Sequence, residues 1–176
     1  MSNYEVKTFY FEDDGFIPNH PEWPVVFYEG VLTENAHEAE FIFNENNWLN
    51  SWRNGIFDYH HYHSNSHEVL GVISGFATVK IGGKSGCELQ IHTGDVMVLP
   101  AGTGHMKIES SADFQVAGAY PNGNDYNLMR GVDGERPDVI DEIRTVAIPE
   151  TDPVFGVKGP LFHHWQKENK KSPNHR

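Results

Sequence analysis

The chain has 176 residues, about the length of one domain, and a chain of this size can bury a sizeable core. Its 13 lysine and arginine residues stand against 25 aspartate and glutamate residues, and the net charge of −12 argues against a nucleic-acid partner, because phosphate backbones require a basic surface. The single cysteine excludes an internal disulfide and a multi-cysteine zinc site, and the apolar runs are too short to span a membrane.

The first 53 residues predict an N-terminal arm followed by a helix. Short strands are expected at 9–11 and 25–28. Asn35 is placed as the N-cap of a helix over about 35–51, with Glu38 as its capping-box partner. Apolar side chains recur at helical spacing along this segment, and we expect the resulting stripe to pack on the body of the protein. The members of the stripe are Phe41, Trp48, Leu49 and Trp52.

Residues 54–121 alternate in the manner of β-strands, and glycine-containing turns separate the apolar runs. Valine and isoleucine together number 25 against 7 leucines, and such an excess of β-branched residues favours strands. Seven short strands separated by turns are typical of a sandwich or a small barrel. The predicted strands cover residues 55–63, 67–74, 76–82, 87–92, 95–99, 104–109 and 112–120.

Residues 122–176 predict a looser C-terminal extension. Two helical turns are expected at 137–144, and the remainder is expected to wrap the body irregularly. The basic tail at 167–176 is interpreted as a solvated terminus. The whole chain is therefore interpreted as one domain, with an arm and helix at 1–53, a barrel at 54–121 and the extension after it.

Four of the eleven histidines lie between residues 60 and 67, and Glu68 follows directly. Residues i and i+2 of a strand share a face, so His61 and His63 point the same way, about 6–7 Å apart along the chain. Two imidazoles on one face can share a metal ion, and Glu68 can return to the same ion from a neighbouring strand. A second segment, rich in glycine, ends at His105, which opens the next predicted strand and can supply a fourth ligand.

These two segments resemble the two sequence motifs of the cupin family. The first reads Gly55, five residues, His61-x-His63, four residues, Glu68, six residues and Gly75. The second reads Gly94, five residues, Pro100-x-Gly102, two residues and His105. Every anchor is present up to the last position of the second motif, where Glu109 stands in place of the family's frequent asparagine. With its arm and extension, the whole chain also resembles small single-domain YjlB-like bacterial cupins.

The resemblance implies an all-β fold, the cupin double-stranded β-helix or jelly-roll barrel. It also implies one divalent metal ion per chain in the mouth of the barrel, with His61, His63, Glu68 and His105 as its ligands. Mn, Fe, Ni and Zn are the candidate metals. Cupins with this ligand set include dioxygenases, oxalate-degrading enzymes, isomerases and storage proteins, so the fold alone does not name the reaction.

Three further residues near the motifs are left open. Tyr59 shares the predicted inward face with His61, and it either orients a substrate, as a candidate catalytic residue, or completes the core. His67 follows His63 at a spacing that in the wider family can place a ligand where Glu68 is expected, but it is interpreted as a residue at the strand edge or beside the site. Glu109 lies four residues after His105, so in a regular strand both side chains would point to the same face. Glu109 either points into the barrel in this way or is turned away by a β-bulge.

The motifs predict a metal-dependent enzyme of the dioxygenase or isomerase type that acts on a small oxygen-rich molecule. The alternative is a non-catalytic protein that binds a small carboxylate or sugar. A cytoplasmic location is expected, because the first residues lack a basic segment followed by an apolar run. The aromatic residues of the arm form too much apolar surface for a free segment, and they predict a homodimer.

Overall fold

The computed structural model describes residues 3–166, and the nine strands in this part of the chain form two antiparallel sheets. Strands β1 to β9 cover Glu5–Phe9, Val25–Glu29, Trp48–Asn54, Glu68–Ser74, Phe76–Ile81, Cys87–His92, Val96–Leu99, His105–Ser110 and Gln115–Pro121. Helices α1 to α3 cover Ala39–Glu45, Asp138–Thr145 and Leu161–His164, and a single 3-10 turn covers Ala36–Glu38. The strand order is β1-β2-β7-β4-β9-β3 in the larger sheet and β6-β5-β8 in the smaller one.

The apolar core lies between the two sheets. Alternate residues of a strand point to opposite faces. Val25 and Phe27 of β2 therefore join a buried cluster that includes Val79 of the smaller sheet, whereas Val26 and Tyr28 join a second cluster on the outer face. Two antiparallel sheets packed over a common core confirm the predicted jelly-roll barrel.

Segments from both ends of the chain cover the outer face of the larger sheet. Phe43 of α1 and Leu161 of α3 belong to the buried cluster on that face. Trp165 is also buried, and its indole N–H donates a hydrogen bond to the carbonyl oxygen of Pro24 at 2.8 Å. Within residues 3–166, no helix is both long and apolar enough to cross a membrane. The predicted basic tail, 167–176, lies outside the described residues.

The prediction of one long N-terminal helix is wrong in its second half. Helix α1 ends at Glu45, and Trp48 begins β3, an edge strand of the larger sheet. Asn47 and Asn50 have φ angles of 65° and 58°, a left-handed conformation that asparagine tolerates and an α-helix does not contain. Trp48 is buried as expected, but Phe41 is 63% exposed, so the apolar stripe is not one packed face.

The predicted strand over 55–63 is also wrong, although its side chains alternate as expected. In the described part of the chain this segment pairs only through isolated bridges. His61 and His105 exchange backbone hydrogen bonds of 3.2 and 3.0 Å, and Tyr62 pairs with Met129 in the same way. The side chain of Tyr62 packs in a separate buried cluster. The side chains of this segment thus alternate in direction as they would in a strand, although the segment is a loop.

The N-terminal arm packs against its own chain. Strand β1 lies at Glu5–Phe9, rather than at 9–11, and it pairs with β2. Phe27 and Tyr28 are buried, and Trp23 stacks on Trp165 with 5.5 Å between ring centroids. The aromatic residues of the arm, which were the reason to expect a dimer, are therefore largely covered by other parts of the same chain. The homodimer stays a prediction, which light scattering tests.

Candidate metal centre

Three histidines converge at the closed end of a cavity between the sheets. His61, His63 and His105 are 5%, 6% and 3% exposed, and each offers one ring nitrogen within 4.8 Å of the other two. The backbone bridge between His61 and His105 positions the first pair. The N–H of Gly102 donates to the carbonyl oxygen of His63 at 2.8 Å, which anchors the third imidazole beside them. The structure therefore brings together residues from both sequence motifs.

The backbone around each imidazole selects the ring nitrogen that faces the others. Each Nδ1 atom lies within hydrogen-bond distance of a backbone carbonyl oxygen, which can only accept. The pairs are His61 with Tyr59 at 3.1 Å, His63 with Asn127 at 2.5 Å and His105 with Thr103 at 3.0 Å. Each Nδ1 must therefore carry the proton, and each Nε2 presents a lone pair. Fixing the tautomer in this way is what metal-binding histidines require.

Glu68 completes the arrangement from the first position of β4. Its Oε1 atom lies 3.4 Å from Nε2 of His63 and 3.2 Å from Nε2 of His105, but this buried oxygen has no hydrogen-bond partner. A carboxylate oxygen that faces two nitrogen lone pairs in a buried site is unfavourable unless a cation lies among them. The four side chains therefore fit a divalent metal ion of the first transition row.

The ionisation of these groups is consistent with the same conclusion. Burial, with a smaller effect of His105, lowers the pKa of His61 to about 3, so this imidazole is neutral near pH 7. Burial alone would lower the pKa of His63, but the Glu68 carboxylate raises it above its ordinary value. Burial opposes ionisation of Glu68, yet its histidine neighbours hold its pKa well below the usual range. A proton on His63 and a metal ion are thus alternative ways to neutralise Glu68.

A chain of two hydrogen bonds holds the other oxygen of Glu68. The hydroxyl of Tyr120 donates to Glu68 Oε2 at 2.7 Å, and the indole N–H of Trp52 donates to the Tyr120 oxygen at 2.8 Å. Tyr120 lies on β9, where Ala119 pairs with Val69 of β4, so the sheet register places Tyr120 beside Glu68. These contacts leave Oε1 free to face the imidazoles.

We expect Tyr120→Phe to weaken metal binding by about 10- to 100-fold, because Glu68 Oε2 loses its donor and the carboxylate its orientation. Competition with a chromogenic chelator measures this affinity. Tyr28→Phe is the matched control, since the buried Tyr28 hydroxyl also donates to a carboxylate, that of Asp152, on the outer face of the larger sheet. An equal loss in both variants would mean that Tyr120 acts only through the stability of the fold.

Gly118 leaves room for the indole ring of Trp52. A Cβ atom at Gly118 would lie 2.3 Å from Cζ2 of Trp52, so one of the two must shift. We expect Gly118→Ala to destabilise the protein by about 1–3 kcal/mol, measured by urea unfolding, and to weaken metal binding through Tyr120. Gly55→Ala is the control, because nothing lies within 4 Å of a Cβ atom there. Equal stability of the two variants would contradict this packing role.

A cavity of about 460 Å³ opens in front of the four side chains. Its walls are mainly aromatic and aliphatic, and the polar groups are concentrated at the closed end, as is typical of small-molecule sites. The lining comprises Trp52, Asn54, Gly55, Ile56, Phe57, His61, His63, Glu68, Leu70, His105, Tyr120, Tyr126 and Leu128.

The three residues left open by the sequence lie outside this lining. The ring of Tyr59 stacks on Phe57, 4.9 Å between centroids, so its place is behind the cavity wall, and a catalytic role for it stays a prediction. Both ring nitrogens of His67 are occupied, because Nδ1 accepts from Ala101 N–H at 2.9 Å and Nε2 donates to Ala147 at 3.0 Å. Glu109 is exposed near a bulge in β8.

Sequence reasoning missed the side chains that support the site. Tyr120 holds Glu68, and Trp52 in turn holds Tyr120. Asn127 holds His63 through its backbone carbonyl, and none of these three residues belongs to either motif. The alternation in β9 does indicate that Tyr120 points inward with Val116. Its contact with Glu68 depends on which strands pair and in which register, and one strand's pattern does not contain that information.

Comparison with known proteins agrees with the motifs and the geometry. Residues 54–112 match the family model of a cupin domain, Cupin_2. The uncharacterised protein YjlB of Bacillus subtilis (strain 168) is 44% identical over 163 residues, which cover 93% of this chain and 98% of YjlB. This chain belongs to the cupin family. The predicted family membership is therefore confirmed, and this cupin shares nearly its full length with YjlB.

Solved structures show a more distant likeness to this cupin. Procruciferin, an 11S globulin from Brassica napus, is 14% identical with a TM-score of 0.37, over 71% of this chain and 26% of procruciferin. Acireductone dioxygenase from Bacillus anthracis, solved with a cadmium ion in its active centre, is 20% identical with a TM-score of 0.29, over 57% of this chain and 50% of the dioxygenase. The cupin thus spans only about a quarter of procruciferin and half of the dioxygenase.

Proposed function

We propose that this cupin is a metal-dependent enzyme that acts on a small molecule through two or more oxygen atoms. The observation that supports this function is the convergence of three imidazole nitrogens beside the buried Oε1 of Glu68, which has no hydrogen-bond partner and lies 3.2–3.4 Å from two of them. His61, His63, Glu68 and His105 would hold the metal ion. Such an ion supplies Lewis acidity, open coordination positions for substrate oxygens and, with iron or manganese, redox chemistry with O₂.

The side chains of the cavity would orient the substrate and exclude water. The ligand histidines and Glu68 are nearly inaccessible to solvent, so electrostatic interactions at the closed end are strong. Tyr120 holds Glu68 in one orientation, and burial followed by the nearby Glu68 charge raises the pKa of the Tyr120 hydroxyl. Tyr120 is therefore protonated near neutral pH and donates its hydrogen bond to Glu68.

The composition of the lining favours a dioxygenase over an isomerase. Isomerisation through an enediolate needs a base that removes a proton from carbon. Apart from the four proposed ligands, the titratable side chains that line the cavity within residues 3–166 are Tyr120 and Tyr126, and tyrosine hydroxyls are poor bases near neutral pH. Oxygenation would not require a proton to be removed from carbon, because a bound metal ion would lower the pKa of a chelating hydroxyl group and let the substrate bind as an anion.

Turnover by the reconstituted protein tests this function. Samples loaded with Fe²⁺, Mn²⁺, Ni²⁺ or Zn²⁺ would be mixed with a panel of small molecules that chelate metals through oxygen atoms. An oxygen electrode would follow O₂ consumption, and mass spectrometry would identify the products. We expect oxygen uptake that depends on the metal and is lost in His61→Ala. If panel compounds bind but no product forms with any of the metals, the proposal of an enzyme would be contradicted. The protein would then be interpreted as a non-catalytic small-molecule binding protein.

A further inference from the structure

The mouth of the metal-site cavity presents apolar side chains to solvent. Phe57, Tyr126 and Leu128 line the cavity and are 50%, 41% and 44% exposed. Single exposed apolar side chains are ordinary on a protein surface, but a cluster around a polar centre marks a binding site. These three side chains would become buried if a ligand with an apolar group occupied the cavity.

Phe57 and Tyr126 each lie against one of the proposed metal ligands. The ring of Phe57 is 5.1 Å from the His61 ring, with 75° between the planes. The ring of Tyr126 is 5.2 Å from the His63 ring, with 78° between the planes. A planar group attached to a molecule bound at the closed end would therefore meet aromatic rings as it leaves the metal centre.

Both aromatic walls are supported from behind. Phe57 stacks on Tyr59, and the guanidinium carbon of Arg130 lies 3.7 Å from the centre of the Tyr59 ring. Tyr126 stacks on the buried Tyr120 ring, with 4.0 Å between centroids and 18° between planes. Rings held in place before binding lose little conformational freedom when a ligand binds, so they contribute efficiently to affinity.

The cavity offers little to a second charge or to several hydroxyl groups. Within residues 3–166, no lysine or arginine side chain contributes to its lining. The N–H of Trp52 and the hydroxyl of Tyr120 are already engaged, which leaves Asn54 and Tyr126 as side-chain donors. A divalent ion with the Glu68 carboxylate has a net charge of +1, which one negative charge on a ligand neutralises. A dianion would leave a buried charge without a partner.

We infer that the substrate is a singly charged anion that chelates through oxygen atoms and carries an aromatic group, with this group held between Phe57 and Tyr126. The inference rests on the proposed function, because the chelating oxygens need the metal ion. It separates this class of molecule from small dicarboxylates and from sugars, whose charges and hydroxyl groups find few partners on these walls. The contribution of the aromatic group to affinity can be measured by comparing chelators with and without it.

Calorimetric titration of the Ni²⁺-loaded protein with two hydroxamates tests the inference without any turnover. Acetohydroxamate and benzohydroxamate chelate through the same two oxygen atoms and differ only in a methyl or a phenyl group. We expect benzohydroxamate to bind at least about tenfold more tightly, and oxalate, a dianion, more weakly than benzohydroxamate. The Phe57→Ala variant should lose about 3- to 10-fold of the benzohydroxamate affinity and keep its acetohydroxamate affinity and its Ni²⁺ content.

Phe41→Ala is the matched control, because Phe41 is a comparably exposed phenylalanine on α1 and does not line the cavity. Equal binding of both hydroxamates, a preference for oxalate, or equal effects of Phe57→Ala and Phe41→Ala would overturn the inference while the metal site stands. Failure of the wild-type protein to take up Ni²⁺ would instead overturn the proposed function, and the inference with it.

Discussion

Replacing His61 and His105 together by alanine should reduce the metal content from about one ion per chain to less than about a tenth of an ion. Half of the proposed ligand set is then missing, and the two remaining ligands, His63 and Glu68, neutralise each other as an ion pair when a proton replaces the metal. Elemental analysis of dialysed protein, with the folded state checked by circular dichroism, measures the loss.

A control variant that lacks two other histidines tests whether metal loss depends on the site or only on the number of histidines. His37→Ala with His92→Ala removes the same number of histidines, but these side chains are 77% and 59% exposed and lie outside the cavity. We expect this double variant to keep its full metal content. Full occupancy in the His61 and His105 double variant, or an equal loss in the control, would mean that the ion is bound elsewhere.

The second large effect is a loss of metal-dependent stability on acidification. Each imidazole binds a metal only when it is neutral, and free imidazole takes up a proton near pH ~6.5. His63 is the ligand whose protonation competes with the ion, because Glu68 raises its pKa, and occupancy should therefore fall on acidification; burial keeps His61 neutral over the same range. A metal present at about a hundredfold above its dissociation constant adds about 2.7 kcal/mol, which raises Tm by roughly 5–10 °C in a protein of this size.

The metal-free protein also loses stability in acid, and this loss must be measured separately. Burial lowers the pKa of His20 to about 4 and that of His67 to about 3, below the ordinary value of 6.5. At these two positions the unfolded chain therefore binds more protons than the folded chain below pH 6.5, and their contribution lowers the free energy of unfolding until the pH reaches these lowered values. The sign is the same for both histidines, since each must be neutral when buried.

Melting curves with and without chelator, between about pH 7.5 and 4.5, distinguish the two effects. Both curves should shift to lower temperature below pH ~6.5, and the gap between them should close as the metal dissociates. A gap that stays constant down to pH ~4.5 would show that histidines do not hold the ion.

Most of the candidate metal site could be predicted from the sequence, because local spacing defines it. The alternation of His61 and His63 places both imidazoles on one side, and this holds even though the segment is a bridged loop rather than a strand. Backbone carbonyl oxygens close to the same residues then orient two of the three rings, those of His61 and His105. Short-range geometry of this kind survives an error in the secondary structure.

The elements that the sequence did not predict depend on distant contacts or on rare backbone conformations. Asn47 and Asn50 redirect the chain from α1 into β3, although the spacing of Phe41 and Trp48 suits a continuous helix. Strand β3 then carries Trp52 to the metal centre from the edge of the sheet. Such pairing is decided by the packing of the whole barrel, which a helical or alternating pattern does not record.

Anomalous diffraction from crystals of the metal-loaded protein, collected on both sides of the absorption edge of the metal, would locate the ion relative to its four proposed ligands. We expect one strong peak per chain, about 2.0–2.2 Å from Nε2 of His61, His63 and His105 and from Oε1 of Glu68. An ion bound through Nδ1 of these rings, or a peak outside the cavity, would contradict the proposed metal site.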